Sequence, residues 1–348
     1  LSGTSGTPFN IVSPSSSTSF TASTSTMNYT GANGGGNTTI EDVDYNNLTI
    51  NASDTFVAET SPLDINGDLN ITSGTLSMST GNLNVGSSSV TDSGDITVAG
   101  TLTQSASATT TIKSSSAGTA TVGGGGTITF YNLTFAPTVA SGPTFTLGTG
   151  ASQAITIDGT LTIGDGTNGV TVTGATNNPA IDINGSLSIL ASGVLIAPGS
   201  SSFTIAGDMT NNGTFTHSSG TVNFNGVGIQ TLNGSGTPAI TFYNLTLSSG
   251  QTVKFAAGKT FRTNGLFTVS GSTNIDSTTA SQWLINHQGT ETVSAGTISN
   301  SGCDGASTNV NVTGTNGGNN GACWVFSGAI INSRVKGSSR IEGNTRIK

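Results

Sequence analysis

The chain has 348 residues and a net charge of −8, yet only 7% of its residues are charged, while 50 are Gly and 33% are hydrophobic. Disorder goes with few apolar residues and high charge, so the regularly spaced Ile, Val, Leu and Phe exclude a structureless linker. No stretch is rich in the good helix formers, whereas Thr, Val, Ile and Phe favour strands and Gly and Asn favour turns; the composition therefore predicts an all-β fold.

Residues 1–40 are rich in Ser, Thr and Gly, with isolated apolar residues at Phe9, Ile11, Val12, Phe20 and Met27. This stretch reads as an extended N-terminal arm, either a flexible leader or a strand that docks elsewhere. The chain starts at Leu1 without a signal peptide, so the expectation is a processed or truncated chain.

From about residue 41 a nine-residue theme recurs, with apolar and polar residues alternating about a central Gly. It reads LDINGDLNI (63–71), ITVAGTLTQ (96–104), ITIDGTLTI (155–163), IDINGSLSI (181–189) and FTIAGDMTN (203–211), with a shortened copy, RTNGLFTV (262–269). Strict alternation predicts strands with one buried face, and Gly67, Gly100, Gly159, Gly185, Gly207 and Gly265 mark bends or close backbone approach. Unequal but recurrent spacing of these units predicts a solenoid, in which each turn stacks its apolar residues on the turn below. The expected fold is a right-handed parallel β-helix (β-solenoid) whose body spans 41–332.

Within that body TITFYNLTF (127–135) returns as AITFYNLTL (239–247), with a looser copy in DYNNLTI (44–50). Phe130 and Phe242 are expected to point inward, as are Asn132 and Asn244 or their neighbours, with Tyr131 and Tyr243 outward. The copies lie 85 and then 112 residues apart (Leu48, Leu133, Leu245), so turns vary in length. That argues against a strictly periodic array of the ice-binding kind.

Cys303 and Cys323 flank a turn-like segment and predict a disulfide, hence an oxidising compartment. Residues 333–348 change period to six: Arg334, Arg340 and Arg346; Val335, Ile341 and Ile347. This basic tail partly fits the left-handed hexapeptide pattern and carries five of the nine Lys and Arg residues. Before it stand only Lys113, Lys254, Lys259 and Arg262, too few for the basic stripe a nucleic-acid partner requires. No run of 18 apolar residues predicts a membrane span.

The chemistry-bearing residues are sparse. His217 and His287 read as surface or turn residues, and no metal-binding spacing or nucleophile elbow is present. Glu41, Asp42, Asp44, Asp64, Asp68 and Asp165 are ordinary turn residues as well as oxygen ligands. The final RIK resembles a substrate-binding motif of polygalacturonase-like hydrolases, but it belongs to the six-residue repeat, and closely placed aspartates for acid and base roles are missing. Eleven Asn-X-Ser/Thr sequons include Asn47, Asn132 and Asn244. The expectation is a non-enzymatic protein with no cofactor and no metal.

The segment GTVNFNGVGIQTLNGSGTPAITFYNLTLSSGQTVKF (220–255) resembles the repeat units of large secreted bacterial surface proteins with β-helical, haemagglutinin- or adhesin-like passengers, and the likeness extends over roughly 41–330. The resemblance implies an extracellular or cell-surface location and a structural or adhesive role. Because open solenoid ends leave unpaired strand edges, the expected function is a subunit of an extracellular filament. Copies would join head to tail through the arm (Phe9, Ile11, Val12, Phe20) and the tail (Arg334, Val335, Arg340, Ile341, Arg346, Ile347). The alternative is a monomeric adhesin stalk or glycan-binding surface protein; a polysaccharide lyase or hydrolase is the third reading.

Overall fold

The computed structural model describes residues 24–327, apart from 33, 59–61, 87–93, 106, 115–117, 141, 249, 251 and 271. It is the expected parallel β-solenoid, all-β and of about 12 turns. At about 4.8 Å per turn the column is roughly 58 Å long.

Three parallel stacks of strands form its faces. The first runs from Thr26–Tyr29 through Ile96–Val98, Thr144–Leu147 and Val170–Thr173 to Thr214–Thr216. It continues in a four-strand sheet of Ile240–Phe242, Thr260–Thr263, Trp283–His287 and Ser301–Cys303, joined to it by the Phe215 and Phe242 rings at 5.9 Å. The second face runs from Asn37–Thr39 through Thr127–Phe130, Phe203–Ile205 and Asn244–Leu247 to Trp324–Ser327. The third runs from Leu63–Ile65 through Asn132–Phe135 and Gln230–Gly234 to Asn274–Ser277 and the later strands. Strand pairing begins at Thr26, inside the stretch read as an arm, so Thr26–Tyr29 and Asn37–Thr39 belong to the column.

Register explains the apolar alternation. On the first face Leu48, Leu69, Ile96, Val122 and Leu147 lie one above another. On the second, Phe56, Leu76, Leu102, Ile128, Ile155, Ile181, Phe203, Val222, Leu245 and Phe267 do the same. All are buried. Burial of each such side chain contributes about 1.5–3 kcal/mol, and nearly all of it is realised against adjacent turns. The step between turns varies from 14 residues (Val310 to Trp324) to 28 (Leu133 to Leu161). Loops at the corners absorb the difference without disturbing the stack.

The low charge has the same origin. The outward positions of the second face form one line, Thr103, Thr129, Thr156, Asp182, Thr204, Asn223, Thr246, Thr268 and Thr292. Parallel in-register stacking brings equivalent side chains about 4.8 Å apart, where like charges repel. Hydroxyls and amides stack there without that cost.

Candidate functional site

The repeated phrase builds corners. Asn132 opens the third-face strand Asn132–Phe135, Asn244 the second-face strand Asn244–Leu247, and Asn47 the strand Asn47–Ala58, whose first part lies in the first face. The three copies thus occupy three different corners, which is why their spacing is no multiple of one turn. At each corner the Asn backbone N–H donates to the turn below: Asn47 to the Ser25 carbonyl, Asn132 to Ala108 and Asn244 to Gly220.

Each Asn side chain then reaches the turn above. Asn47 Oδ1 accepts the Asp68 N–H at 2.8 Å, Asn132 Oδ1 that of Thr160 at 2.8 Å, and Asn244 Oδ1 that of Leu266 at 2.7 Å. The residue just before each donor is a Gly of the nine-residue theme: Gly67, Gly159 or Gly265. Its own N–H donates to the carbonyl of Asn46, Tyr131 or Tyr243. The two sequence motifs are therefore halves of one device, a clamp below and a glycine above. A Cβ on Gly159 would strike Asn132 Oδ1, and one on Gly265 would lie 2.5 Å from Asn244 Oδ1. Each clamp bond contributes about 1 kcal/mol net. Phe130, Phe242, Leu133 and Leu245 are buried as expected, and the asparagines are half-buried at the corner rather than inward. Three of the sequon asparagines thus have their side chains engaged within the column.

The two ends of the column are closed by aromatic rings. At the N-terminal end Tyr29 packs edge-on to Phe56 at 5.9 Å, and its hydroxyl meets that of Tyr45 at 3.1 Å. The Tyr45 hydroxyl donates to the Glu41 carbonyl at 2.8 Å, and burial raises the pKa of both phenols. At the C-terminal end Trp283 stacks on Phe255 at 4.0 Å, with Phe261 and Trp324 against it. Beside them Cys303 and Cys323 form the expected disulfide.

Sequence reasoning missed a polar cluster near that end. His287, read as a surface or turn residue, ends the strand Trp283–His287 and is fully buried. Its Nε2 lies 3.3 Å from Glu291 Oε2 and its Nδ1 2.8 Å from Thr263 Oγ1. A carboxylate only accepts, so Nε2 carries the proton of the neutral ring and Nδ1 accepts the Thr263 hydroxyl. Thr263 is 2% exposed and His287 fully buried, so the Thr–His pair lies inside the column, with Glu291 half-buried beside it. The only signal for it was the spacing of His287 and Glu291, which a corner folds together.

Burial pushes the His287 pKa below its ordinary 6.5, against the opposing pull of Glu291. Burial pushes the Glu291 carboxyl upward, but hydrogen bonds from Asn311 and His287 outweigh it and hold the group below 4.5. Both shifts have the same consequence. The unfolded chain binds protons at a higher pH than the folded one, so stability present at neutral pH is lost as pH falls through 6.5 and below, by up to about 1.4 kcal/mol per pH unit for each proton taken up. Amide exchange of Val310 and Val312 is expected to accelerate between pH 7 and pH 5 relative to the intrinsic rate, with His287→Gln flattening the response. An unchanged profile would remove the cluster from the acid response.

The arm residues Phe9, Ile11, Val12 and Phe20 and the tail residues Arg334, Val335, Arg340, Ile341, Arg346 and Ile347 lie outside the described residues. Among the described residues no three His, Cys, Asp or Glu side chains gather as for a metal ion, and no helix is long and apolar enough to cross a membrane. Stacked parallel turns, corner clamps and a buried apolar column define the chain as a parallel β-solenoid protein. No family model, no curated protein and no solved structure matches it.

Proposed function

We propose that this chain is the rod-forming structural segment of an extracellular surface fibre, that copies join head to tail by strand addition, and that it carries no reaction. The observation that supports this most is the state of the strand edges. Among the described residues, Ser301–Cys303 and Trp324–Ser327 at the C-terminal end are paired along one side only. Open edges are templates for further pairing, and a non-closing contact of one end with the other yields a fibre. The disulfide fits an oxidising exterior. The five basic residues of the last 15 positions complement an otherwise acidic chain and would steer the approach of ends.

A monomeric adhesin stalk is the second reading, favoured by the burial of the end rings: Tyr29 is 1% and Trp324 5% exposed. Negative-stain microscopy and sedimentation of the full chain separate the two. Head-to-tail chains that disappear when residues 1–23 and 333–348 are removed are the expected result. Monomers at every concentration would overturn the fibre and leave the stalk.

A further inference from the structure

The corner between the first and second faces carries a feature that a plain rod does not need. Across three successive turns it opens into a cleft of about 260 Å³, lined among others by Ser200, Ser202, Ser219, Thr221, Asn223 and Asn244. Register explains the convergence. Phe203 pairs with Val222 and Thr221 with Asn244, so Ser202, Thr221 and Asn244 form one outward line, which Leu266 continues. The hydroxyls of Ser200, Ser202 and Ser219 have no partner among the described residues.

Beside this polar line stands an aromatic edge. Tyr243 is 38% exposed and Leu266 41%. The Tyr243 ring lies 5.6 Å from the His217 ring and rests on the next turn at Gly265, where an added Cβ would come within 3.0 Å of it. The ring is thus held from two sides while remaining open to solvent. The other copy of the phrase gives a comparison: Tyr131 sits at a different corner and is half-buried. Of the other polar clefts, that at Asp44, Asp64, Asn84 and Lys113 is charged, and those at Gly126–Gln153 and Asn274–Thr297 have no exposed aromatic ring.

From these features we infer that the His217–Tyr243–Leu266 corner binds a neutral oligosaccharide. A row of hydroxyls and amides can exchange hydrogen bonds with sugar hydroxyls in either direction. An exposed, fixed aromatic ring offers an apolar surface to the C–H face of a pyranose while its own hydroxyl stays wet. No lining residue is charged, and phosphate, sulfate or uronate ligands call for Arg or Lys. The cleft is open and shallow, so it grips a few rings of a chain that continues past it rather than engulfing a small ligand.

The inference goes beyond the rod reading and does not depend on assembly at the ends. The test is calorimetric titration of the full chain with cellohexaose, xylohexaose and maltohexaose, and with oligogalacturonate as the charged probe. Expected is binding of at least one neutral hexasaccharide that is insensitive to salt. Tyr243→Ala should weaken it about tenfold or more, and Tyr131→Ala should leave it unchanged. Both variants should keep the circular dichroism spectrum of the parent. Failure of the intact chain to bind any neutral probe would overturn the inference. So would equal binding by Tyr243→Ala, or salt-sensitive binding of oligogalacturonate alone.

Discussion

Replacing Gly185 by Ala is expected to destabilise the column by about 3 kcal/mol, a large effect for one methyl group. The strain is steric and lies between turns. Gly159, Gly185 and Gly207 succeed one another at the corner of the second and third faces, and a Cβ on Gly185 would lie 2.5 Å from the Gly159 carbonyl carbon and 3.0 Å from its Cα. Those are backbone atoms, so no rotamer change relieves the clash; the turns must separate and break the Ile155–Ile181 and Leu161–Leu187 contacts on either side. Gly150→Ala is the control, since a Cβ there meets nothing within 4 Å; it should be neutral or slightly stabilising through the unfolded chain. Denaturant midpoints give the ranking. Because stacked turns couple mainly to their neighbours, amide exchange should show the loss of protection centred on residues 155–211. Equal midpoints for the two variants would mean that the corner has room the geometry denies it.

The second large effect is expected at the C-terminal end. Trp283→Ala removes a ring stacked on Phe255 at 4.0 Å and edge-on to Phe261 and Trp324, and should cost about 4 kcal/mol. Trp283→Phe should cost less than about 1.5 kcal/mol. The indole N–H has no hydrogen-bond partner, so losing it breaks no bond, and a phenyl ring keeps most of the stack. The disulfide still joins Ser301–Cys303 to Cys323 in the alanine variant, so the last turns should loosen together while the turns before Gln230 keep their exchange protection. Uniform loss of protection along the column would show instead that the solenoid melts as one unit.

Both expectations depend on a relation between turns that one sequence reports only indirectly. The nine-residue theme located the corner glycines, and its alternation correctly divided inward from outward residues: Ile155, Ile157, Leu161 and Ile163 are all buried. The unequal spacing of FYNLT showed that turn length varies. It did not show that the phrase moves from corner to corner, because that depends on how many residues each intervening loop takes up. The pairing of Asn132 with Gly159, or of Asn244 with Gly265, was hidden for the same reason. Each spans one turn, and the two turns differ in length.

The surface was less legible. Tyr131 and Tyr243 share identical neighbours for three residues on each side, yet only Tyr243 stands exposed beside a polar cleft, since only there do His217 below and Gly265 above frame the ring. His287 likewise offered no local sign of burial. Its inward aim follows from its place in Trp283–His287, and its partners Thr263 and Glu291 come from the turn below and from the strand around the corner.

By itself, the sequence determined the all-β character, the stacked parallel turns, the inward apolar residues and the Cys303–Cys323 bridge. Those follow from backbone preference and alternation, which act over a few residues, and from a single pair of thiols. Only the tertiary structure decided which corner each motif occupies, which glycine meets which asparagine, and where an open cleft lies beside an exposed ring. Those depend on vertical neighbours 14 to 28 residues away, and loop length, which no local preference controls, sets which residues become neighbours.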